Sequence, residues 1–317
     1  MITKTLAKPE PRAEIPANAR FPSALNSCAL LEQFVKQENA GVERKPLPVQ
    51  PSKMGEVAKL DMLFSWAFKL TYNSTYHGLE YYYHHTFNRI KLLQKLHVID
   101  YTAADLAYFT QNLMKKYEKH PKFKDSPGFV LTALINACKD PDMVIFTDTM
   151  SVKINHLGTY NEKNLTVYGD AGDSFCAAMK SGNVLLYGDA GGDLAMRMAG
   201  GALTAYGSAG MQAASNLQGG DVVVNGNVGY EAGEMLEGGS LTINGDAGAD
   251  LGKMMRSGII TLNGNAGIWL ADQMKGGTIN VNGKISLLGD KIKGGNIFQN
   301  GRQLMKDGKI IAQPENK

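Results

Sequence analysis

The sequence predicts an α+β protein of two domains: an N-terminal α-helical domain, then a right-handed parallel β-helix of about seven to eight 19-residue coils. Three observations lead to this fold class. A 19-residue phrase occurs six times in succession from Asn164, without insertion or deletion. Each copy opens with the alternating apolar pattern of a half-buried strand. Of the 36 glycines, 29 lie between residues 164 and 295. Strict periodicity of this kind is typical of a solenoid.

The N-terminal part divides by composition. Seven prolines fall in the first 51 positions, with charged residues between them. This composition predicts an extended or partly disordered arm over residues 1–54. Residues 55–142 predict the helical domain. Helical spacing of apolar residues predicts its first two helices over 59–70 and 79–96.

Two further helices are indicated by start signals. Thr102 followed by Asp105 predicts a capping box at the start of a helix over 102–120. Ser126 before Pro127 predicts an N-cap with proline at the first helical position. The helical domain is therefore expected to be a small bundle of about four helices.

The β-helix is predicted over residues 143–300, with a C-terminal cap and tail over 301–317. The β-branched segment 143–157 marks the entry into it, and a seventh copy of 18 residues occupies 278–295. Positions in each copy are counted here from its first residue, so that Asn164 is position 1. The predicted core columns are positions 2 and 4 (Leu165/Val167, Val184/Leu186, Leu203/Ala205, Val222/Val224, Leu241/Ile243, Ile260/Leu262, Ile279/Val281) and position 16 (Met179, Met198, Leu217, Leu236, Met255, Met274).

Small residues recur at three further positions. Glycine occupies position 6 in every copy: Gly169, Gly188, Gly207, Gly226, Gly245, Gly264 and Gly283. A second glycine follows at position 9, and position 13 holds only glycine, alanine or cysteine. Such columns predict corners that need a positive φ or a contact too close for a Cβ atom. The 19-residue period without a six-residue subperiod argues against a left-handed hexapeptide helix.

The spacing G-x-x-G-x-x-x-G, complete at Gly226/Gly229/Gly233, resembles the GXGXG domain. This is the right-handed β-helix that forms the C-terminal domain of the large chain of glutamate synthase and that also occurs in formylmethanofuran dehydrogenase. The resemblance covers about residues 150–300. It implies an architectural role without catalytic residues, because the β-helix in those families supports catalytic domains. Residues 1–140 resemble none of those catalytic domains, so the enzymatic activity does not carry over.

Glycine-rich loops invite a phosphate-binding interpretation, but GDAGGD (188–193) belongs to a motif that recurs in every copy, whereas a dinucleotide loop occurs once. Calcium binding would need denser acidic residues than one in each copy. The polar residues at position 7 (Asp170, Asp189, Ser208, Asn227, Asp246, Asn265) are therefore predicted to form turns by bonding their own backbone.

The candidate metal ligands are His77, Glu80 and His84, which could share one face of a helix. No further ligand is evident, so we expect surface or core histidines on an aromatic helix, and neither a metal nor another cofactor. Elemental analysis of the purified protein is expected to find no stoichiometric zinc or iron. Cys176 lies in the small-residue column and is predicted to be buried.

Position 5 predicts an outward-facing column of tyrosines that gives way to asparagines. Tyr168, Tyr187 and Tyr206, beside Leu185, predict an apolar stripe, and the asparagines that follow are expected to hydrogen-bond between coils. The stripe is the predicted interaction surface. Docking of the helical domain or binding of a partner protein would each explain it.

Bulk composition narrows the functional classes. A formal net charge of only +3 gives no reason to expect nucleic acid or a membrane surface as partner. Three widely spaced cysteines, together with an N-terminus that lacks an apolar signal segment, favour a soluble cytoplasmic protein. We expect a non-enzymatic scaffold that binds a protein partner, with a homo-oligomer left open. The alternatives are an accessory subunit of a glutamate synthase-like or formylmethanofuran dehydrogenase-like complex, and an enzyme or metal site in the helical domain.

Overall fold

The computed structural model describes residues 49–67, 76–95 and 98–315. Within the helices it describes the backbone but not the side chains of residues 66, 67, 76–82, 89, 92 and 93. Most of the predicted arm, residues 1–48, therefore lies outside the described residues. Pro48–Lys317 form one compact unit.

Four α-helices precede the repeats in the described ranges: α1 (Met54–Ala67), α2 (Tyr76–Lys95), α3 (Ala103–Asn112) and α4 (Ser126–Ala137), with a turn of 3-10 helix at Met114–Tyr117. The predicted capping box is confirmed. The Thr102 hydroxyl accepts a hydrogen bond from the Asp105 backbone N–H at 3.3 Å, and the Asp105 carboxylate accepts one from the Thr102 N–H at 3.0 Å. This reciprocal pair satisfies two of the unpaired N–H groups at the start of α3.

The predicted cap of α4 is wrong. Asp125 is the N-cap residue, without a side-chain cap bond, and Ser126 already lies inside the first turn, where its hydroxyl is buried. Pro127 remains in the first turn, where its missing N–H costs nothing. All twelve residues of α4 are buried, which makes it the central helix of the N-terminal part.

The repeats and the segments that flank them build one eleven-stranded sheet in the described part of the chain, with its strands in chain order. The strands are β1 (Asp142–Phe146), β2 (Asn164–Tyr168), β3 (Asn183–Tyr187), β4 (Ala202–Ala205), β5 (Asp221–Val224), β6 (Ser240–Ile243), β7 (Ile259–Leu262), β8 (Thr278–Val281), β9 (Asn296–Gln299), β10 (Arg302–Lys306) and β11 (Lys309–Ile310). The first nine pair in parallel, with equivalent residues 19 apart from β2 to β8, as in Leu165 beside Val184. The chain is therefore a parallel β-solenoid of about eight turns.

The core columns lie where the sequence predicts them. Positions 2 and 4 are buried in all seven copies, and position 16 is buried in the six complete copies, in the methionine and leucine column that begins at Met179. A further buried column, at position 12, is absent from the sequence prediction: Phe175, Leu194, Ala213, Ala232, Leu251 and Leu270. Its members vary in size between large and small, which obscures the column in a search for apolar periodicity.

The side of each coil opposite the strand has an alternating backbone. In one coil Gln212, Ala214 and Asn216 have φ of 59°, 56° and 54°, and the equivalent positions 11, 13 and 15 repeat this pattern in most other coils. The N–H of Gln212 donates to Tyr230 O in the next coil, whereas the N–H of Ala214 donates to Leu194 O in the previous one. This alternation pairs the backbone groups on this side of the solenoid between coils without a β-strand. The prediction of positive φ is right for position 13.

The glycines at position 6 have a different cause. Among them only Gly169 has a positive φ, of +109°. A Cβ atom on Gly226 would lie 2.7 Å from the Ser208 backbone N and 2.8 Å from the Gly207 carbonyl carbon, and would also meet the Ser208 hydroxyl. The corner therefore demands glycine because the previous coil is too close, not because of its own φ.

Both ends of the solenoid are covered in the described part of the chain. At the N-terminal end α3 packs on β1, where the Phe146 N–H donates to the Thr110 hydroxyl at 3.3 Å. At the C-terminal end β10 turns back antiparallel to β9, so the last parallel edge is already paired. Apolar side chains from helices and coils, such as Phe64, Leu134 and Leu186, belong to one buried cluster. The division into two domains stays a prediction.

Candidate functional site

The predicted tyrosine stripe is a continuous ring stack. It begins at Phe146 of β1, whose ring centroid lies 5.5 Å from that of Tyr168. Tyr168 and Tyr187 follow at 5.1 Å, and Tyr187 and Tyr206 at 4.7 Å, with the last two rings within 3° of parallel. Since the rings lie face to face, their faces contact one another and only their edges are presented outward.

Exposure falls along this stack towards the helices. Tyr168 is buried, with 9% of its surface exposed, whereas Tyr187, Tyr206 and the adjoining Leu185 are half-buried. The stack therefore starts under the helical part, at the strand that α3 covers. The structure brings the stripe residues together as the sequence predicts. Their use as an interaction surface stays a prediction.

The asparagines at position 5 continue the column as a hydrogen-bonded ladder. The amide of Asn244 donates to Asn225 Oδ1 at 2.6 Å, Asn263 donates to Asn244 at 2.7 Å, and Asn282 donates to Asn263 at 2.7 Å. Each bond joins adjacent coils, so the predicted contact between stacked asparagines is confirmed.

A second ladder runs along position 7, and here the prediction is wrong. Asp170 Oδ1 accepts from the backbone N–H of Asp189 at 2.8 Å, and Asp189 Oδ1 accepts from Ser208 N–H at 2.8 Å. The same bond recurs through Ser208, Asn227, Asp246 and Asn265. These side chains bond the backbone of the next coil, not their own turn. They hold the coils together.

An exposed apolar ridge runs along position 10 and is absent from the sequence prediction. It consists of Met211, Tyr230, Ile268 and Leu287 on nearby coils, with Ala249 between Tyr230 and Ile268, and Trp269 beside it. The large members are 44%, 48%, 43% and 52% exposed, and Trp269 is 47% exposed. The Tyr230 hydroxyl donates to Met211 Sδ at 3.1 Å, which links two of them. Glycine, aspartate and alanine at position 10 of other coils hide this column from a periodicity search.

Charged side chains flank the ridge at positions 11 and 14. Lys253 Nζ lies 2.9 Å from Glu231 Oε1 and 3.8 Å from Asp250 Oδ1. The hydrogen bond to Glu231 raises the pKa of Lys253, so this ammonium is held charged. Burial, and then the charge of Glu231, raise the pKa of Glu234. This side of the ridge is therefore a mixed-charge rim.

In the helical part, aromatic and amide groups form a buried joint. The Asn136 amide donates to Tyr83 Oη at 2.6 Å and to Tyr160 O at 2.9 Å, and its oxygen accepts from Glu162 N–H at 3.0 Å. Burial raises the pKa of Tyr83 to about 12, so the phenol stays neutral. Every hydrogen-bonding atom of this amide joins one structural element to another, which indicates a structural role.

The predicted metal ligands fall on α2, where their backbone positions share a face. The side chains of His77 and Glu80 lie outside the described residues. The exposed ring of His84 lies 5.2 Å from that of Tyr83. Among the described side chains, no group of three His, Cys, Asp or Glu residues could hold a metal ion. The absence of a metal from this protein stays a prediction.

Neither described cysteine is poised for nucleophilic chemistry. Burial raises the pKa of Cys138 to about 11 and that of Cys176 well above its usual range. Because the thiolate is the nucleophile, both thiols are inert at neutral pH. The burial predicted for Cys176 is confirmed.

The fold and these surfaces define the class as a parallel β-solenoid bound together by side-chain ladders. No helix in the described ranges is long and apolar enough to cross a membrane. No family model and no curated protein sequence matches the chain.

Proposed function

We propose that this protein is a non-enzymatic scaffold whose solenoid binds protein through the exposed apolar ridge. The ridge is the observation that carries the proposal. Its five large side chains are each about half exposed and together present a few hundred Å² of apolar surface, as much as the largest patch on a typical monomer. Aromatic residues and methionine are enriched at protein interfaces, and Met211, Tyr230 and Trp269 supply both kinds.

The coils themselves support a scaffold rather than an enzyme. Their outward polar side chains at positions 5 and 7 are used in coil-to-coil hydrogen bonds, as at Asn244 and Asp189. The uniform 19-residue period leaves no inserted loops with which to build a cleft. A rigid rod with a continuous apolar edge is suited to holding another protein in a fixed register.

We further propose that the coils are of the right-handed GXGXG type. Support comes from the glycine columns, where Gly226 and Gly248 approach the previous coil too closely for a Cβ atom and Gly233 has φ of +66°. In the families that the motif resembles, the β-helix is architectural, which agrees with a scaffold.

Site-specific photo-cross-linking in the native cell tests the proposed function. A photoreactive side chain placed at Ile268, on the ridge, is expected to yield covalent protein adducts. The matched control is Ile259, which is 48% exposed but lies at position 1, off the ridge. Absence of adducts from position 268, or equal adducts from both positions, would refute the ridge as the binding surface.

A further inference from the structure

We infer that the ridge pairs with the same ridge of a second copy of this chain, in an antiparallel two-fold dimer. This inference rests on the proposed function, because it names the occupant of the surface proposed there. Two observations support a second copy: the order of large and small side chains along the ridge, and the charges that flank it.

The order of large and small side chains along the ridge fits the same order read in the opposite direction. Tyr230 is a large exposed ring, and the next coil presents the small side chain of Ala249 at the same position. A two-fold axis between these two coils places Tyr230 of each copy over Ala249 of the other. The same operation sets Met211 against Ile268 and Leu287 over Gly192. Tyr230 and Leu287 therefore meet small residues, whereas Met211 and Ile268 meet as two large apolar side chains. Because both copies have the same coil spacing of about 4.8 Å, one register serves all coils.

The flanking column at position 7 has matching charges in this register. Asp189 of one copy comes opposite Lys284 of the other, and Asn227 comes opposite Asp246. Asp189 and Lys284 are both exposed, and neither makes an ion pair within the described part of the chain. A lysine opposite an aspartate, and an amide donor opposite a carboxylate, are favourable pairs that each occur twice in a two-fold interface.

The other flank contributes one favourable and one unfavourable pair in the same register. At position 14, Glu234 comes opposite Lys253 of the second copy. At position 11 Glu231 comes opposite Asp250, an unfavourable pair in isolation, but Lys253 already lies within 2.9 Å of Glu231 and 3.8 Å of Asp250. Around the axis the two copies together then carry six carboxylates (Glu231, Glu234 and Asp250 twice) and only two Lys253 ammonium groups, so the support for the register comes from position 7 and not from this flank.

The distribution of charge along the rod explains the antiparallel direction. Residues 164–252 carry 2 basic and 10 acidic side chains, a net charge of −8, whereas residues 253–317 carry 10 basic and 4 acidic, a net charge of +6. Antiparallel rods place the acidic half of one copy beside the basic half of the other, whereas parallel rods would align like charges. End-to-end stacking does not use this asymmetry, because β10 already covers the C-terminal parallel edge.

Sedimentation equilibrium of the full chain tests the inference. The expected mass at micromolar concentration is twice 34.3 kDa. Tyr230→Asp is expected to give a monomer that keeps the native circular dichroism spectrum, since the ring is half exposed. The matched control Ile259→Asp is expected to remain dimeric, and aspartate is tolerated at position 1, where Asp221 occurs naturally.

Charge reversal tests the register. Asp189→Lys and Lys284→Asp should each weaken the dimer at least tenfold, and the double variant should recover to within about threefold of the original dissociation constant. A monomeric native chain, or a dimer unaffected by Tyr230→Asp, would overturn the inference. A monomer that still cross-links to a different protein from position 268 would overturn only the self-association and leave the proposed function standing. A monomeric native chain that also gives no protein adduct from position 268 would overturn both the self-association and the proposed function.

Discussion

Replacement of Gly226 by alanine tests whether the solenoid depends on contact between coils at the position-6 corner. The new Cβ atom would lie 2.7 Å from the Ser208 N and 2.8 Å from the Gly207 carbonyl carbon, distances that real Cβ atoms do not adopt. The Ser208 hydroxyl can rotate away, but the backbone atoms move only if the two coils separate. The variant must therefore open the stack locally.

The cost follows from the bonds at this corner. The N–H of Gly226 donates to Gly207 O at 2.9 Å, and the N–H of Asn227 donates to the Ser208 hydroxyl at 3.1 Å. Losing or stretching both costs about 1 kcal/mol each. Overpacking of a rigid contact adds roughly 1–3 kcal/mol. We therefore expect Gly226→Ala to lower the free energy of unfolding by about 3–5 kcal/mol, and Gly226→Val by more.

Urea unfolding followed by circular dichroism measures this loss. The matched control is Gly55→Ala in α1, where no atom lies within 4 Å of the new Cβ atom. This control should be neutral or stabilise by up to about 1 kcal/mol, because alanine is the better helix former. A loss below about 0.5 kcal/mol for Gly226→Ala would refute the close-contact explanation of the glycine column.

Three further predictions concern the ends, the stripe and the pH response of the protein. A fragment of residues 150–317 lacks the helices and β1, so it exposes core and an unpaired edge of β2 and should aggregate or oligomerise; a monomeric fragment by light scattering would contradict this. Tyr187→Ala removes the centre of the ring stack. It should weaken a complex by at least about 1 kcal/mol if the stripe binds a partner, or increase proteolysis near residue 150 if the stripe holds the helices. If neither effect is observed, the stripe has no role in binding or in docking the helices. Burial lowers the pKa of His156, whose ring stacks on Phe129 at 4.5 Å, so the unfolded chain binds a proton more readily and stability should fall as the pH drops below 6.5. His156→Asn, which tolerates the φ of 63°, should reduce the difference in melting temperature between pH 7.5 and pH 5; an unchanged difference would show that this histidine does not contribute.

The repeat made much of the fold predictable. Alternation at positions 2 and 4 identifies strands and their inward faces, and an unbroken 19-residue period forces the register of every neighbouring pair, as at Leu165 and Val184. The ladder of asparagines is predictable for the same reason, since equal spacing places Asn225 beside Asn244. Periodicity is a local property of a chain, and a solenoid converts it directly into contacts in space.

Local signals at the start of α4 allow two N-cap residues, because Asp125 and Ser126 are both of the types preferred there. The structure places the N-cap at Asp125, whose carboxylate accepts a hydrogen bond from the Asn155 amide instead of capping the helix. The position-7 residues were misassigned for a related reason. Asp and Asn bond their own turn when no other donor is near, but stacked coils bring the N–H of the following coil within 2.8 Å of Asp189.

The 19-residue phrase alone determined that this chain stacks coils in parallel, because identical spacing leaves one register that buries every apolar column. Tertiary structure decided what each column does. The close approach of coils made Gly226 a contact residue rather than a residue of special φ. The curvature of the turn exposed position 10, so that Met211, Tyr230 and Ile268 form a surface ridge although their residue types also suit a core. Residue type sets the free energy of burial, but the path of the backbone decides which side chains are buried.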